Sequence, residues 1–495
     1  MGTDSATSYD AVPYESHAFH QTHPRWLATI GALFGVQAPA PSGARVLELG
    51  AAGGGNIIAI AESLPHSSCL GVDLSSRQVT DGRQLIAATG LGNVELRQAS
   101  ILDVDASYGQ FDYVICHGVY SWVDAETQRT ILRLCSERLT ENGIAYVSYN
   151  TYPGWHMKGM LRDMMKFHAD RFKEPAKQIE QSRALLEVLS KTVPAQDNAY
   201  GLLLQREAMQ LRDSSDGYVF HEHLEAHNAP CYFHEFARRS IEAGLQFLGE
   251  SELRGMLTDQ LPAGVQAALR EVGTNILYAE QYMDFFRNRT FRQTLLCRKS
   301  VPLTRRLGAE SIRALSFASP LSTSEETKAN TAAPARFSAE DWPTATINGA
   351  FGKTTMVCLG EAWPEYVSAG ELERQVRARL GLPVAERTST AFLEMLWNWF
   401  AQGIVWTTLE PPHVVRRAGE TPRASVVARA QLASGRRLVS NLHHRLVRLS
   451  EADARLLPLL DGAGTRKKIA AQWGEDPTAL DAELERLAHS ALLSA

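Results

Sequence analysis

Between Arg45 and Asn150 short apolar runs alternate with stretches of helical period, and this alternation constrains the chain more than any other feature. The strands read as ARVLELG, SCLGVDL, NVELRQA, FDYVICHG and GIAYVSYN, with GNIIAIAESL, SRQVTDGRQLIAAT and AETQRTILRLCSERL between them. Apolar strands joined by amphipathic helices bury both faces of a parallel sheet, so the pattern predicts a doubly wound, Rossmann-like α/β fold. From about residue 156 to 243 the chain reads as nearly all helix, and GLQFLGESEL and FRQTLLCRKS then return as strands. The sheet is therefore expected to carry a helical insertion over its carboxyl edge, where ligands bind in such folds.

The stretch ASPLSTSEETKANTAAPARFSAEDWP is rich in Ser, Thr, Ala and Pro and reads as a surface linker. Beyond it come amphipathic helices and a last unit of strand, helix, turn and helices, the grammar of a winged-helix domain. The expected organisation is a sheet core with an N-terminal cap over 1–170, the insertion with the last strands over 171–300, a linker over 301–342 and a winged-helix-like α+β region over 343–495. A length of 495 residues allows several such units. The formal charge of −5 is too mild to point to nucleic acid or a membrane surface. The six cysteines form no CxxC pair and sit in apolar runs, which fits reduced core thiols and a cytoplasmic chain. No run of about 18 apolar residues marks a membrane span, and the first residues lack the basic and apolar regions of an export signal.

VLELGAAGGGN places Glu48, Gly50, Gly53, Gly54, Gly55 and Asn56 at the end of the first strand and the start of its helix. Glycines let the backbone turn sharply and approach a ligand, and the helix start offers unpaired N–H donors. The spacing misses the dinucleotide GxGxxG, and the loop lacks a phosphate-binding lysine. Asp73, with Leu74, follows the second strand about 20 residues later, where an acid accepts hydrogen bonds from ribose hydroxyls. Ser100 and Ile101, after the third strand, fall where an adenine ring would lie.

In this order, at these strand ends, the residues resemble the S-adenosylmethionine site of class I methyltransferases. PYESHAFHQTHPRWLATIGALFG, CHGVYSWV, YNTYPGWHMKGMLRDMM, HEHLEAHNAPCYFHEF and NRTFRQTLLC make the resemblance narrower. They are similar to bacterial methyltransferases carrying a regulatory domain, a family that includes rickettsial lysine methyltransferases acting on an outer-membrane protein. Residues 9–300 carry the likeness well and the C-terminal region more loosely. It implies methyl transfer from S-adenosylmethionine, leaving S-adenosylhomocysteine, to a protein or peptide nitrogen. Ala51 and Ala52 stand where many relatives have Cys and a variable residue.

If these strand ends hold the cofactor, its methyl faces the cleft beyond the fourth and fifth strands. SYNTYPGWHMKGML then forms the acceptor wall. Asn150 and Tyr152 are expected to orient an amine, and Tyr120, Trp122 and Trp155 to wall the pocket, since aromatic faces favour cations. A lysine must lose its proton before attack, and His117, Tyr14, Tyr152 or a water could take it. Before the sheet, Gln21 or His23 is expected near the methionine carboxylate and Tyr14 near the methyl, and His117 also borders the cofactor. Each of these rings could instead serve packing alone.

HEHLEAH is not the HExxH zinc pattern, so helix capping is preferred to a metal site. Eight arginines against Glu420 between Pro411 and Ser450 read as a solvated basic face rather than a nucleic-acid grip. RLVRLSEADARLLPLLDG also fits a leader-peptide recognition unit or a homodimer contact. Two other functions stay open: a small-molecule methyltransferase with a closed pocket, and a non-catalytic scaffold whose C-terminal module binds peptides.

Overall fold

The structure, a computed structural model, describes residues 12, 16–258, 261–272, 275–323 and 333–494. Its central sheet contains β1 (Arg45–Leu49), β2 (Ser68–Asp73), β3 (Val94–Gln98), β4 (Phe111–Cys116), β5 (Leu139–Asn150), β6 (Leu245–Glu250) and β7 (Phe291–Arg298). They lie in the order β3-β2-β1-β4-β5-β7-β6. β1 to β5 pair in parallel, while β7 runs antiparallel to both neighbours.

Strand parity explains why the sequence reads as unbroken apolar runs. Val46, Tyr113, Ile115, Ile144 and Tyr146 enter one core layer; Leu47, Leu49, Val114, Ala145 and Val147 enter the other. Both faces are covered, so alternate residues need no polarity. The helix Ser76–Thr89 starts where Ser75 Oγ accepts the Gln78 N–H at 3.2 Å and ends at left-handed Gly90. Asp124 caps the helix Ala125–Arg138 in the same way.

The insertion between β5 and β6 includes the helices Trp155–Ala169, Pro175–Thr192, Ala199–Arg212 and Asp216–His223, packed around Leu161, Met165, Leu186, Leu204 and Phe220. Val12 packs on this cluster, and its carbonyl lies 2.6 Å from His221 Nε2. The helix Ile276–Arg287 is tied to the sheet by a buried ionic cluster. Arg292 on β7 reaches Glu250 at 2.6 Å, Asp284 at 2.8 Å and Glu280 at 3.1 Å, and its guanidinium lies 3.9 Å from the Phe233 ring centre.

The stretch expected as a linker is partly core. Strand Ser316–Ala318 pairs with Val367–Ser368 and Trp406–Thr408, and Ala335–Phe337 pairs with Ala345–Ile347. Ile312, Leu315, Phe317, Leu321 and Phe337 are buried in the layer that also contains Val46 and Tyr113. These apolar residues are spaced too widely for a periodicity reading but meet across short strands. Residues 324–332 of that stretch lie outside the described residues. The helix Pro24–Leu33 bridges the units: Trp26 meets Phe400 at 6.4 Å, and Thr29 Oγ1 accepts the Leu409 N–H at 2.9 Å.

The last unit builds its own core from Leu456, Leu460, Ile469, Leu484 and Leu487. Several arginines expected on a solvated face are engaged within the chain. Arg416 pairs with Glu365 and Arg437 with Glu451, each at 3.0 Å, and Arg445 stacks 3.8 Å from the Trp406 ring centre. Among the described residues no helix is long and apolar enough to cross a membrane.

Candidate active site

A cavity of about 500 Å³ opens at the carboxyl ends of β1, β2 and β4, within the size range of small-molecule sites. Gln21, Glu48, Gly50, Asn56, Asp73, Leu74, Ser100, Ile101, His117 and Trp122 of the residues singled out from sequence line it. β1 ends in Gly50 at φ +72°, and a Cβ there would come within 2.4 Å of Val119 Cγ2, so only glycine lets the turn pass. Asp73 fastens this turn. Its Oδ2 accepts the Ala52 N–H at 2.7 Å and its Oδ1 the Ser75 N–H at 2.9 Å.

Glu48 is buried. Its Oε1 accepts from Asn56 Nδ2 at 2.8 Å, while Oε2 has no hydrogen-bond partner among the described residues. Burial raises its carboxyl to about 8, with Asp73 adding to the rise and the Asn56 bond opposing it. His117 is held at Nδ1 by the Tyr146 hydroxyl at 2.9 Å and the Ser148 hydroxyl at 3.2 Å, and burial lowers its imidazole to about 4. It is therefore neutral at physiological pH. Phe19 lies 4.2 Å from its ring, so the N-terminal segment does reach over the cleft.

Other singled-out residues lie off the cavity wall. Gly53 is not among the lining residues, and Gly55 serves packing: Ser16 Oγ accepts its N–H at 2.7 Å, and a Cβ on it would come within 2.2 Å of the Ser16 carbonyl. His23 caps the helix Pro24–Leu33, accepting the Arg25 N–H at 3.1 Å, with Nε2 2.7 Å from Ser63 Oγ. Tyr120 is core, edge-on to Phe236 at 5.2 Å. Asn150 is buried beside Ser121, whose hydroxyl accepts its N–H at 2.9 Å. Tyr152 stacks on His156 at 4.0 Å, beyond the strand end. Trp155 supports the wall from behind: its ring meets Trp122 at 6.3 Å and its indole N–H donates to Asn228 at 2.7 Å. Tyr14 lies outside the described residues.

Sequence reasoning gave no place in the site to Ser16, Phe291, Gln293, His221 and Glu222, which also line the cavity. Glu222 was legible only as a member of a histidine-rich run. In the structure it projects from the insertion as a half-buried carboxyl with no hydrogen bond or ion pair among the described residues, and burial raises its pKa. His221, its neighbour, is occupied by Glu225 at 2.8 Å.

A doubly wound sheet of this order, with a glycine turn after β1 and acids at the tips of β1 and β2, defines a class I S-adenosylmethionine-dependent methyltransferase. Residues 47–145 match the methyltransferase domain family, 215–298 the family described as a predicted methyltransferase regulatory domain, and 420–490 the PKMT C-terminal winged-helix domain. PKMT2 from Rickettsia typhi, solved in complex with AdoHcy, superposes with a TM-score of 0.87 at 30% identity, covering 98% of this chain and 100% of that one. The chain belongs to this PKMT family of methyltransferases. It is also 42% identical to the uncharacterized protein RP789 of Rickettsia prowazekii over 62% of this chain and 55% of that protein, so the match spans about half the relative's length. Uncharacterized protein RP028 of the same organism is 42% identical over 49% of this chain and 96% of its own length.

The residues present fit the cofactor. The unpartnered Glu48 Oε2 suits the cationic amino group of a methionine moiety, Asp73 a ribose, and Leu74, Ser100 and Ile101 an adenine edge. The raised carboxyl of Glu48 is expected to hold a proton in the free protein at pH 7, and a cation beside it favours the carboxylate. Binding of S-adenosylhomocysteine is therefore expected to release a proton, and calorimetric enthalpies will differ between buffers of different ionisation enthalpy. Glu48→Gln should erase that difference.

Proposed function

We propose that this protein transfers a methyl group from S-adenosylmethionine to the side-chain amine of a protein lysine. The cofactor supplies an electrophilic methyl on a sulfonium. The chain's own task is to present a neutral amine to it in a dry, ring-lined space, which accounts for most of the catalysis of such displacements. Phe19, Trp122 and Phe291 supply that lining.

The observation that carries the reading is Glu222. A carboxyl with no partner, delivered by the insertion into the same cavity, offers an arriving ammonium its counter-charge. Its raised pKa makes it a competent base for the proton the amine must lose. His117, neutral and held by two hydroxyls, is a weaker base in comparison. The PKMT name of the Rickettsia typhi relative and the matched winged-helix domain support a polypeptide acceptor. Six buried free thiols support a reducing compartment, the cytoplasm.

Isotope-labelled cofactor incubated with host lysate should place label on lysine Nε of a protein, read by mass spectrometry of the digest. Label confined to metabolites would overturn the reading. Glu222→Gln should raise KM for the polypeptide by about tenfold or more, the scale of a lost charged hydrogen bond, while leaving the cofactor Kd as it was.

A further inference from the structure

We propose that His444, on the C-terminal winged-helix unit, is a positioning residue for the cofactor site: through Asn56 it fixes the carboxyl of Glu48. The inference concerns the cofactor end of the cavity and holds for any acceptor.

Asn56 is a junction of three parts of the chain. Its Oδ1 accepts from His444 Nε2 at 2.7 Å and from the Phe19 N–H at 2.9 Å, and the Thr22 hydroxyl, 3.1 Å away, shares its proton between Asn56 and the Phe19 carbonyl at 2.8 Å. Its Nδ2 donates to Glu48 Oε1 at 2.8 Å, which leaves Glu48 Oε2 without a partner at the cavity. With the His444 and Phe19 N–H groups on its oxygen and Glu48 on its nitrogen, the Asn56 amide has one orientation, and the Glu48 carboxyl is set by it. His444 and Asn56 are 388 residues apart in sequence, so this order arises only when the winged-helix unit is docked.

The chemistry of His444 matches the role. Asn56 Oδ1 can only accept, so Nε2 carries the proton. Nδ1 is buried with no partner among the described residues, so the ring is the neutral Nε2–H tautomer. Burial, with Arg445 and Arg25 nearby, holds it neutral. The backbone at His444 is left-handed, φ +57°, in a turn where its N–H donates to the Asn441 carbonyl at 2.9 Å and the Asn441 N–H to the Arg445 carbonyl at 2.8 Å. Glycine or asparagine suits such a turn better, so a histidine here carries a backbone cost that its side-chain bond to Asn56 offsets.

The docking is aimed at the helix that bears Asn56. At the far end of Gly55–Ser63, Glu62 accepts from Ser425 Oγ at 2.7 Å and the Val426 N–H at 2.6 Å. Arg436 donates to the Ser16 carbonyl at 3.1 Å, and Ser16 Oγ receives the Gly55 N–H. The winged-helix unit thus grips the start and end of one helix and the strap that crosses it.

The test is calorimetry of S-adenosylhomocysteine binding, with thermal unfolding measured alongside. His444→Gly relieves the left-handed backbone and removes the imidazole. It should leave the unfolding midpoint near or above wild type and weaken binding about tenfold, the scale of losing a supporting hydrogen bond behind a ligand-holding group. KM for the cofactor should rise more than kcat falls. His444→Gln, which restores a neutral donor of similar reach, should recover most of the affinity. Glu62→Ala, which cuts a docking contact away from Asn56, should weaken binding much less than His444→Gly does. Should the glycine variant not fold, His444→Leu takes its place with the same expectations. A donorless variant that binds as tightly as wild type, or a glutamine variant no better than it, would overturn the relay.

Discussion

Arg292→Leu is expected to destabilise the protein by about 3–5 kcal/mol at pH 7, the cost of orphaning buried charges. Arg292 is fully buried and pairs with Glu250, Glu280 and Asp284. Removing it leaves Glu250 the Gln293 N–H and the Thr294 hydroxyl, and Arg289 as the cation that still pairs with these acids among the described residues, at 3.0 Å from Asp284 and 3.9 Å from Glu250. Burial already raises Glu280 and Asp284, and loss of the cation raises them further. A carboxyl raised in the folded state favours folding most below its unfolded value and loses that advantage as pH rises through the folded value. The deficit should therefore shrink as pH falls from 7 towards 4. Urea unfolding across this range checks both claims, and a deficit under about 1 kcal/mol at pH 7 would refute the first. The consequence reaches the cavity, because Phe291 and Gln293 flank Arg292 on β7 and both line it. Arg292→Lys keeps the charge but not the forked contacts, and should fall between the two.

That cluster also marks where sequence reading stops. FRQTLLC reads only as a strand, and nothing local says that three acids from β6 and another helix surround its arginine. The cofactor end was legible because its determinants are local: a glycine that must adopt positive φ and an acid at a strand tip announce themselves within a few residues. The acceptor side was not, because beyond Asn150 the strand's parity ends and the chain turns. Tyr152 stacks on His156 and Trp155 stands behind Trp122, and neither is among the lining residues. Glu222 was hidden by company, since its neighbours drew attention to metal chemistry. His444 was beyond reach in principle, as its partner Asn56 is brought to it only by the docking of separate units.

Asp73→Ala is expected to weaken binding of S-adenosylhomocysteine by at least about a hundredfold. The residue does two things at once. Each carboxylate oxygen accepts a backbone N–H, one from Ala52 and one from Ser75, and a carboxylate oxygen can accept more than one hydrogen bond. A ribose offers two hydroxyls, and a hydrogen bond to a charged group is worth about 1.5–3 kcal/mol, so losing two removes two or more decades of affinity. Loss of the Ala52 contact adds to this, because Ala52 sits at φ +48° and needs its N–H held to keep the turn. Asp73→Asn separates the contributions: the amide keeps one acceptor for the turn but presents a donor and no charge to the ribose. It should fold like wild type, with the loop N–H groups exchanging only a little faster, and bind with intermediate affinity. If the asparagine variant binds as poorly as the alanine variant while its loop stays protected from exchange, charge on the ribose dominates. If Asp73→Ala retains affinity within threefold of wild type, the cofactor does not lie along the tips of β1 and β2.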